Sequence, residues 1–202
     1  SFPTSGPFGE DKAIFNDEYV AAEIGQVGTQ FDGLGHPGRQ MKMADGTTKE
    51  VFYNGFTTDQ MRSPYGLVKL GVENIKPIFT RGIYFDIAAY KGVDMLPEGY
   101  EVTLADIRGI LTKQGMKESD IEPGDALLFN IGWWRHWPTK KSVEGQPAFA
   151  SREVLDWIIA KKPSMIGSDA SMDGPEFSLH EDLILKNGIF NLEFMNFAAM
   201  QN

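Results

Sequence analysis

Asp125-Ala-Leu-Leu-Phe-Asn-Ile131 is an apolar run of strand length, the pattern of a buried strand. What flanks it decides the fold. Downstream, Ser151 is placed to cap a helix through Lys161, which Pro163 stops. Ser164 to Ser168 is a further short strand. Ser178-Leu-His-Glu181 has the form of a capping box and opens a helix closed by Gly188. Ile189 to Phe194 is again strand-like. Upstream, Thr103 caps a predicted helix from Leu104 to Gln114, ended by Gly115, and Ile78 to Ile87 is β-rich. Strands alternating with helices predict an α/β domain.

The first third of the chain is less regular. Residues 1–18, rich in Gly, Pro and Phe, read as irregular, and Tyr19 to Asp32 as short strands. Gly33, Gly35, Pro37 and Gly38 force a loop. Residues 45–60 read as a polar excursion with two short extended pieces. Ser63-Pro64 is a helix-start signal, predicting a short helix within Tyr65 to Ile75. No linker, repeat or low-complexity run divides the chain, so a single domain over 1–202 is expected.

The 202 residues are 42% hydrophobic and 23% charged, enough for a full core. A net charge of -9 argues against a nucleic-acid partner and against an anionic membrane surface. The absence of cysteine excludes disulfides, zinc fingers, iron–sulfur clusters and thiol catalysis. No apolar run approaches the roughly 18 residues of a membrane helix. Ser1 to Gly9 lacks a signal-peptide pattern, so a cytoplasmic location is expected. The first residue is Ser rather than Met, which suggests a missing upstream segment.

Chemistry based on histidine must draw on His36, His136 and His180, since the chain has 3. In Gln26-Val-Gly-Thr-Gln-Phe-Asp-Gly-Leu-Gly-His36, the side chains of Gln26, Gln30 and Asp32 share one parity. On a strand they project from one face. A buried polar face is costly unless a metal ion or substrate satisfies it. The glycines let the backbone approach a ligand closely, and His36 returns from the loop. The plainer alternative is a solvent-facing edge strand followed by a flexible loop.

The segment Gly28-Thr-Gln-Phe-Asp-Gly-Leu-Gly-His36 resembles the signature of the cyclase family, the group containing bacterial kynurenine formamidases and isatin hydrolases. The family form is His-x-Gly-Thr-His-x-Asp-x-x-x-His. Gly28, Thr29, Asp32 and His36 match it; Gln26 and Gln30 stand where metal-binding histidines are usual. His180, Leu183, Gly188, Ile189 and Glu193 match a second block, HxxLLxxxGIxxxE. Thr80-Arg81-Gly82, the Leu127–Trp134 stretch and the Gly167–Gly174 stretch resemble three more. Five blocks in the family order cover most of the chain.

That resemblance implies a swivelling β/β/α fold, with a central mixed sheet or barrel flanked by helices. It also implies missing terminal strands and assembly as a homodimer or homotetramer. The implied activity is metal-dependent hydrolysis of an amide bond in a small cyclic or aryl-linked molecule. His36 matches the catalytic general base and acid; Asp32, His180 and Glu193 match ligand positions. Gln26 and Gln30 add only amide oxygens, which suit manganese or magnesium better than zinc. One divalent ion, manganese before zinc, is therefore expected rather than a binuclear zinc site.

Each of these residues also has a plainer reading. His180 suits the first turn of a helix only as a neutral ring, and Glu193 at a buried strand end needs a partner. Thr29 and Asp169 are candidates for orienting the ligands, although Asp169 reads equally as a loop residue. Phe31, Trp133 and Trp134 are candidates for an aromatic substrate wall, with Phe8 behind them. For the tryptophans around Arg135 and His136, core packing or an oligomer contact is the alternative. Arg81 either holds a substrate carboxylate or forms an internal salt bridge. Two rival functions remain open: a non-catalytic small-molecule binder of the same fold, and a lyase or cyclase using the same site.

Overall fold

The alternating segments assemble into one mixed sheet in the computed structural model, which describes residues 4–16, 28–64, 66–136, 147–174 and 178–201. We number its strands β1 (Gln30–Asp32), β2 (Gly82–Asp86), β3 (Ala126–Asn130), β4 (Met165–Ser168) and β5 (Phe190–Glu193). The spatial order is β1-β5-β4-β3-β2. Strands β2 to β5 are parallel, and β1 runs antiparallel to β5 at one edge. The sheet is open, which settles the choice between sheet and barrel.

Helices α1 (Ile87–Lys91), α2 (Leu104–Lys113) and α3 (Arg152–Lys161) make the crossovers, with a π-helical segment at His180–Leu185. Local signals fix their ends. The Thr103 hydroxyl accepts from Asp106 N–H, and the Asp106 carboxylate accepts from Thr103 N–H at 3.0 Å, a reciprocal cap. The Ser151 hydroxyl accepts from Val154 N–H at 3.3 Å to start α3.

Register determines which side chains form the core. Ile83, Leu127 and Ile166 stand side by side, as do Phe85 and Phe129, whose rings stack at 5.1 Å. All are buried beneath Ile107, Ile110 and Leu111 of α2 and Val154, Leu155 and Ile158 of α3. The opposite face carries Tyr84, Leu128, Leu192 and Phe31, each only half-buried. The helices thus press on one side of the sheet, and burial of these apolar groups there is the main stabilising term.

Three expectations require correction. Thr4–Phe8 and Ala13–Asn16 pair as an antiparallel hairpin where an irregular segment is expected. Tyr65 to Ile75 holds no α-helix among its described residues: Arg62–Ser63 and Gly66–Leu67 form a small hairpin, followed by a 3-10 turn at Val72–Asn74. Positive φ at Gly66 (121°) and Leu70 (59°) turns the chain out of any continuous helix. Strand pairing covers only Gly82–Asp86 of the β-rich 78–87 stretch. Most of the predicted Tyr19–Asp32 strand lies outside the described residues.

Candidate metal centre

Pairing of β1 with β5 sets Gln30 opposite Glu193 and Asp32 opposite Asn191. Directly paired residues project to the same side of a sheet, so these four polar side chains form one patch. All four are buried, with residue exposures of 0 to 6%. The parity expected for Gln30 and Asp32 is thus realised, and Asn191 and Glu193 extend it across the strand pair. Gln26 lies outside the described residues. The same face carries the apolar core farther along the sheet, so the cluster sits at the polar margin of a dry interior.

Glu193 is held from two sides. Asn191 donates to its Oε1 at 2.9 Å, and Gln30 donates to its Oε2 at 3.1 Å. The Gln30 amide nitrogen also lies 3.5 Å from Asp32 Oδ1. Gln30 thus faces both carboxylates through its amide nitrogen. Two neighbouring carboxylates demand hydrogen-bond donors, and a side-chain amide supplies them.

His180 closes the cluster from the π-helical segment. Its Nε2 lies 3.5 Å from Asp32 Oδ2 and 3.7 Å from Glu193 Oε1. Its Nδ1 hydrogen-bonds Asp173 Oδ2 on the opposite side of the ring. The Asp173 Oδ1 accepts from the backbone N–H of Leu179 at 2.9 Å and of His180 at 3.3 Å. Asp173 thus anchors both the entry to the helix and the imidazole. Burial works against a charged ring, but the hydrogen bonds to Asp173 and Asp32 outweigh it and raise the His180 pKa to about 10. Burial raises the Glu193 pKa to about 7, reinforced by Asp32.

His36 approaches from the glycine loop, where its N–H donates to Gly33 O at 3.0 Å. Its Nε2 lies 3.8 Å from Asp32 Oδ1, and its ring centroid 5.5 Å from that of His180. The His36 side chain is 38% exposed. It faces a cavity of about 410 Å³ lined also by Phe31, Asp32, Leu67, Leu70, Val72 and Glu73.

The donor set fits a divalent cation. Ligands at about 2.1 Å from one ion stand roughly 3–3.6 Å apart at tetrahedral or octahedral angles. The separations of 3.5, 3.7 and 3.8 Å around Asp32 and His180 are close to that spacing. Ligand atoms of Asp32, His36 and His180 lie within 4.8 Å of one another, as do those of Asp173, His180 and Glu193. The second group meets His180 through opposite ring nitrogens, so Asp173 orients the ring while Nε2 faces Asp32 and Glu193. Two buried carboxylates side by side need a cation, and a protonated His180 fills that role in the bare protein.

Other expected site residues lie elsewhere. Trp133 is buried in the core against His136, with ring centroids 4.4 Å apart, so it is no substrate wall. Trp134 is half-buried with the Arg135 guanidinium 4.3 Å from its ring. Asp169 accepts from Ile131 N–H at 2.9 Å and Trp134 N–H at 3.0 Å. It holds that loop rather than the cluster, and burial raises its pKa to about 6. Arg81 pairs with Asp125 at 2.7 Å at the N-terminal ends of β2 and β3, while Glu193 ends β5 at the opposite edge. The internal salt bridge is thus the alternative realised for Arg81. Phe8 is exposed on the N-terminal hairpin beside Phe15. Phe31 does line the cavity, and the Thr29 hydroxyl donates to Phe194 O at 2.8 Å, tying β1 to the residue after Glu193.

Asp173 and Asn191 were not anticipated as members of this cluster. Asn191 shares the parity of Glu193, a signal the sequence contains. Asp173 falls within the Gly167–Gly174 block, but its role depends on the chain path between β4 and the helix.

Comparison with known proteins adds to this geometry. The family model described as "Putative cyclase" matches residues 5–173. A solved structure of a novel cyclase superposes with a TM-score of 0.70 at 28% identity, covering 85% of this chain and 56% of that one. This chain therefore spans little more than half of that relative's length. Isatin hydrolase A from Ralstonia solanacearum gives a TM-score of 0.50 at 13% identity, covering 92% of this chain and 76% of the other. Isatin hydrolase A from Labrenzia aggregata gives 0.50 at 13%, covering 99% and 83%. At that identity the likeness is one of fold. No curated protein sequence matches the chain significantly.

Proposed function

This chain belongs to the cyclase family, and on that premise we propose that it is a metal-dependent hydrolase of an amide bond in a small cyclic or aryl-linked substrate. The observation that carries this reading is the convergence of Asp32, His36 and His180, with ligand atoms within 4.8 Å, beside an open cavity.

Asp32, Glu193 and His180 Nε2 would hold the ion. The two carboxylates make an oxygen-rich set that favours manganese over zinc. A divalent ion bound there supplies Lewis acidity to the substrate carbonyl and acidifies water. Gln30 and Asn191 hold the Glu193 carboxylate by N–H donation. Asp173 keeps His180 with its proton on Nδ1, leaving Nε2 as the ligand atom. His36, exposed to the cavity and within reach of Asp32, takes a proton from the attacking water and returns it to the leaving nitrogen. Phe31 and the apolar cavity wall take the ring of the substrate.

Metal content decides between this reading and a binding protein of the same fold. Purified protein dialysed against manganese should retain one ion per chain, and Asp32→Ala should lose it. His36→Ala should keep the ion yet lose turnover of aryl formamides and cyclic amides. Failure to retain manganese, zinc or magnesium under saturating conditions would overturn the proposal. Hydrolysis in 18O-labelled water separates water attack from a lyase or cyclisation reaction: absence of label in the product assigns the latter.

A further inference from the structure

We infer that the cavity beside the centre selects a substrate with an apolar ring and a cationic or N–H-donating end, and that Glu73 sets this preference. The inference rests on reading Asp32, His36, His180 and Glu193 as the reaction centre. It starts from what lines the cavity beside that centre. Leu67, Leu70 and Val72 pack directly against Gly33 and Gly35 of the loop that carries His36, and Glu73 lines the same cavity. Among the described residues, none that lines the cavity is Lys or Arg.

The exposed Glu73 side chain folds back so that its carboxylate lies over the buried Gly71. Asn74 donates to Glu73 Oε1 at 2.8 Å and holds it there. Leu70, immediately before, has φ of 59°, a left-handed conformation that bulky residues adopt only when the surroundings impose it. Turned this way, the chain presents both the Leu70 side chain and the Glu73 carboxylate to one cavity.

Among the described residues Glu73 forms no ion pair, and the hydrogen bond from Asn74 comes from a neutral amide. Its charge is therefore available to a ligand. A carboxylate beside apolar walls attracts an ammonium or a strong N–H donor and repels another carboxylate. The substrate class is thus an aryl amide whose ring bears an amine or neutral donor distal to the scissile bond.

Three formanilides that differ only at the ring para position test this: 4-aminomethyl, 4-methyl and 4-carboxy. Binding to the metal-free protein is measured by calorimetry, and binding and turnover to the manganese-loaded protein. The aminomethyl compound should bind at least about fivefold more tightly than the carboxy compound, the scale of one exposed charge contact on each side. Glu73→Gln should remove most of that difference, and Glu73→Lys should reverse its order. Equal binding of the three compounds, or a preference that survives both substitutions, overturns the inference. Discrimination without turnover sinks the hydrolase reading but leaves the cavity preference standing. Turnover without discrimination does the opposite.

Discussion

Asp173 bonds three groups with two oxygens: the N–H of Leu179, the N–H of His180 and the His180 ring. A carboxylate can only accept, so it dictates that Nδ1 carries the ring proton and that Nε2 faces Asp32 and Glu193. Replacing it with Asn keeps the shape but offers an N–H to Nδ1, which favours the opposite tautomer and a protonated Nε2. Asp173→Asn should therefore weaken manganese binding by about 10- to 100-fold, read by isothermal calorimetry. Histidine 15N shifts should report the tautomer exchange directly. Unchanged affinity would show that Asp173 serves the helix end alone. His180 was legible in the sequence because its block has fixed spacing to Glu193. The partner that orients it was not, because its distance along the chain reflects a loop path.

At the scale of elements, the loop that carries His36 is seated by missing side chains. A Cβ at Gly35 would sit 2.6 Å from Leu67 Cδ1 and 3.0 Å from the Leu70 carbonyl, and one at Gly33 would sit 2.6 Å from Val72 Cγ1. Glycine there is a packing requirement between the loop that carries His36 and the cavity wall. Gly35→Ala should cost about 1–3 kcal/mol by overpacking, or roughly 2–10 °C in melting temperature for a chain of this size. It should also lower turnover, because either His36 or the wall must shift. Gly82→Ala is the control: its Cβ meets only Leu128 Cδ1 at 3.5 Å, and stability should change by less than about 0.5 kcal/mol or rise slightly. Equal melting shifts in the two variants would refute the seating argument. The glycines were readable as a loop, and α2 and α3 were readable to within a residue because Thr103, Ser151 and Pro163 act locally. The Gly66–Asn74 segment was not, since the left-handed turn at Leu70 is imposed by tertiary packing that its own residues do not announce. At His180–Leu185 the Asp173 carboxylate, rather than a Ser178 cap, accepts from the N–H groups at the start of the π-helical segment.

Across the whole molecule, the proposed metal binding and protonation would compete for the same atoms, and this predicts how stability responds to pH. His180 has a folded pKa of about 10, raised from 6.5. Its contribution to the metal-free fold is fully present below 6.5 and is lost as pH rises through about 10. Glu193 has a folded pKa of about 7, raised from 4.5 by burial. The folded state therefore favours its protonated form, and stability from this group falls as pH rises from 4.5 through 7. Both groups make the bare protein less stable on the alkaline side. Metal binding reverses the sense, because the ion takes the Nε2 and carboxylate sites only after their protons leave. Manganese at about 100 times its dissociation constant adds roughly 2.7 kcal/mol, or about 5–10 °C. At a fixed manganese concentration, that increment should grow steadily from pH 6 to pH 9. Paired melting curves with and without manganese across this range measure it. An increment that shrinks with rising pH, or that survives Asp32→Ala, would mean the ion binds outside the cluster on β1 and β5.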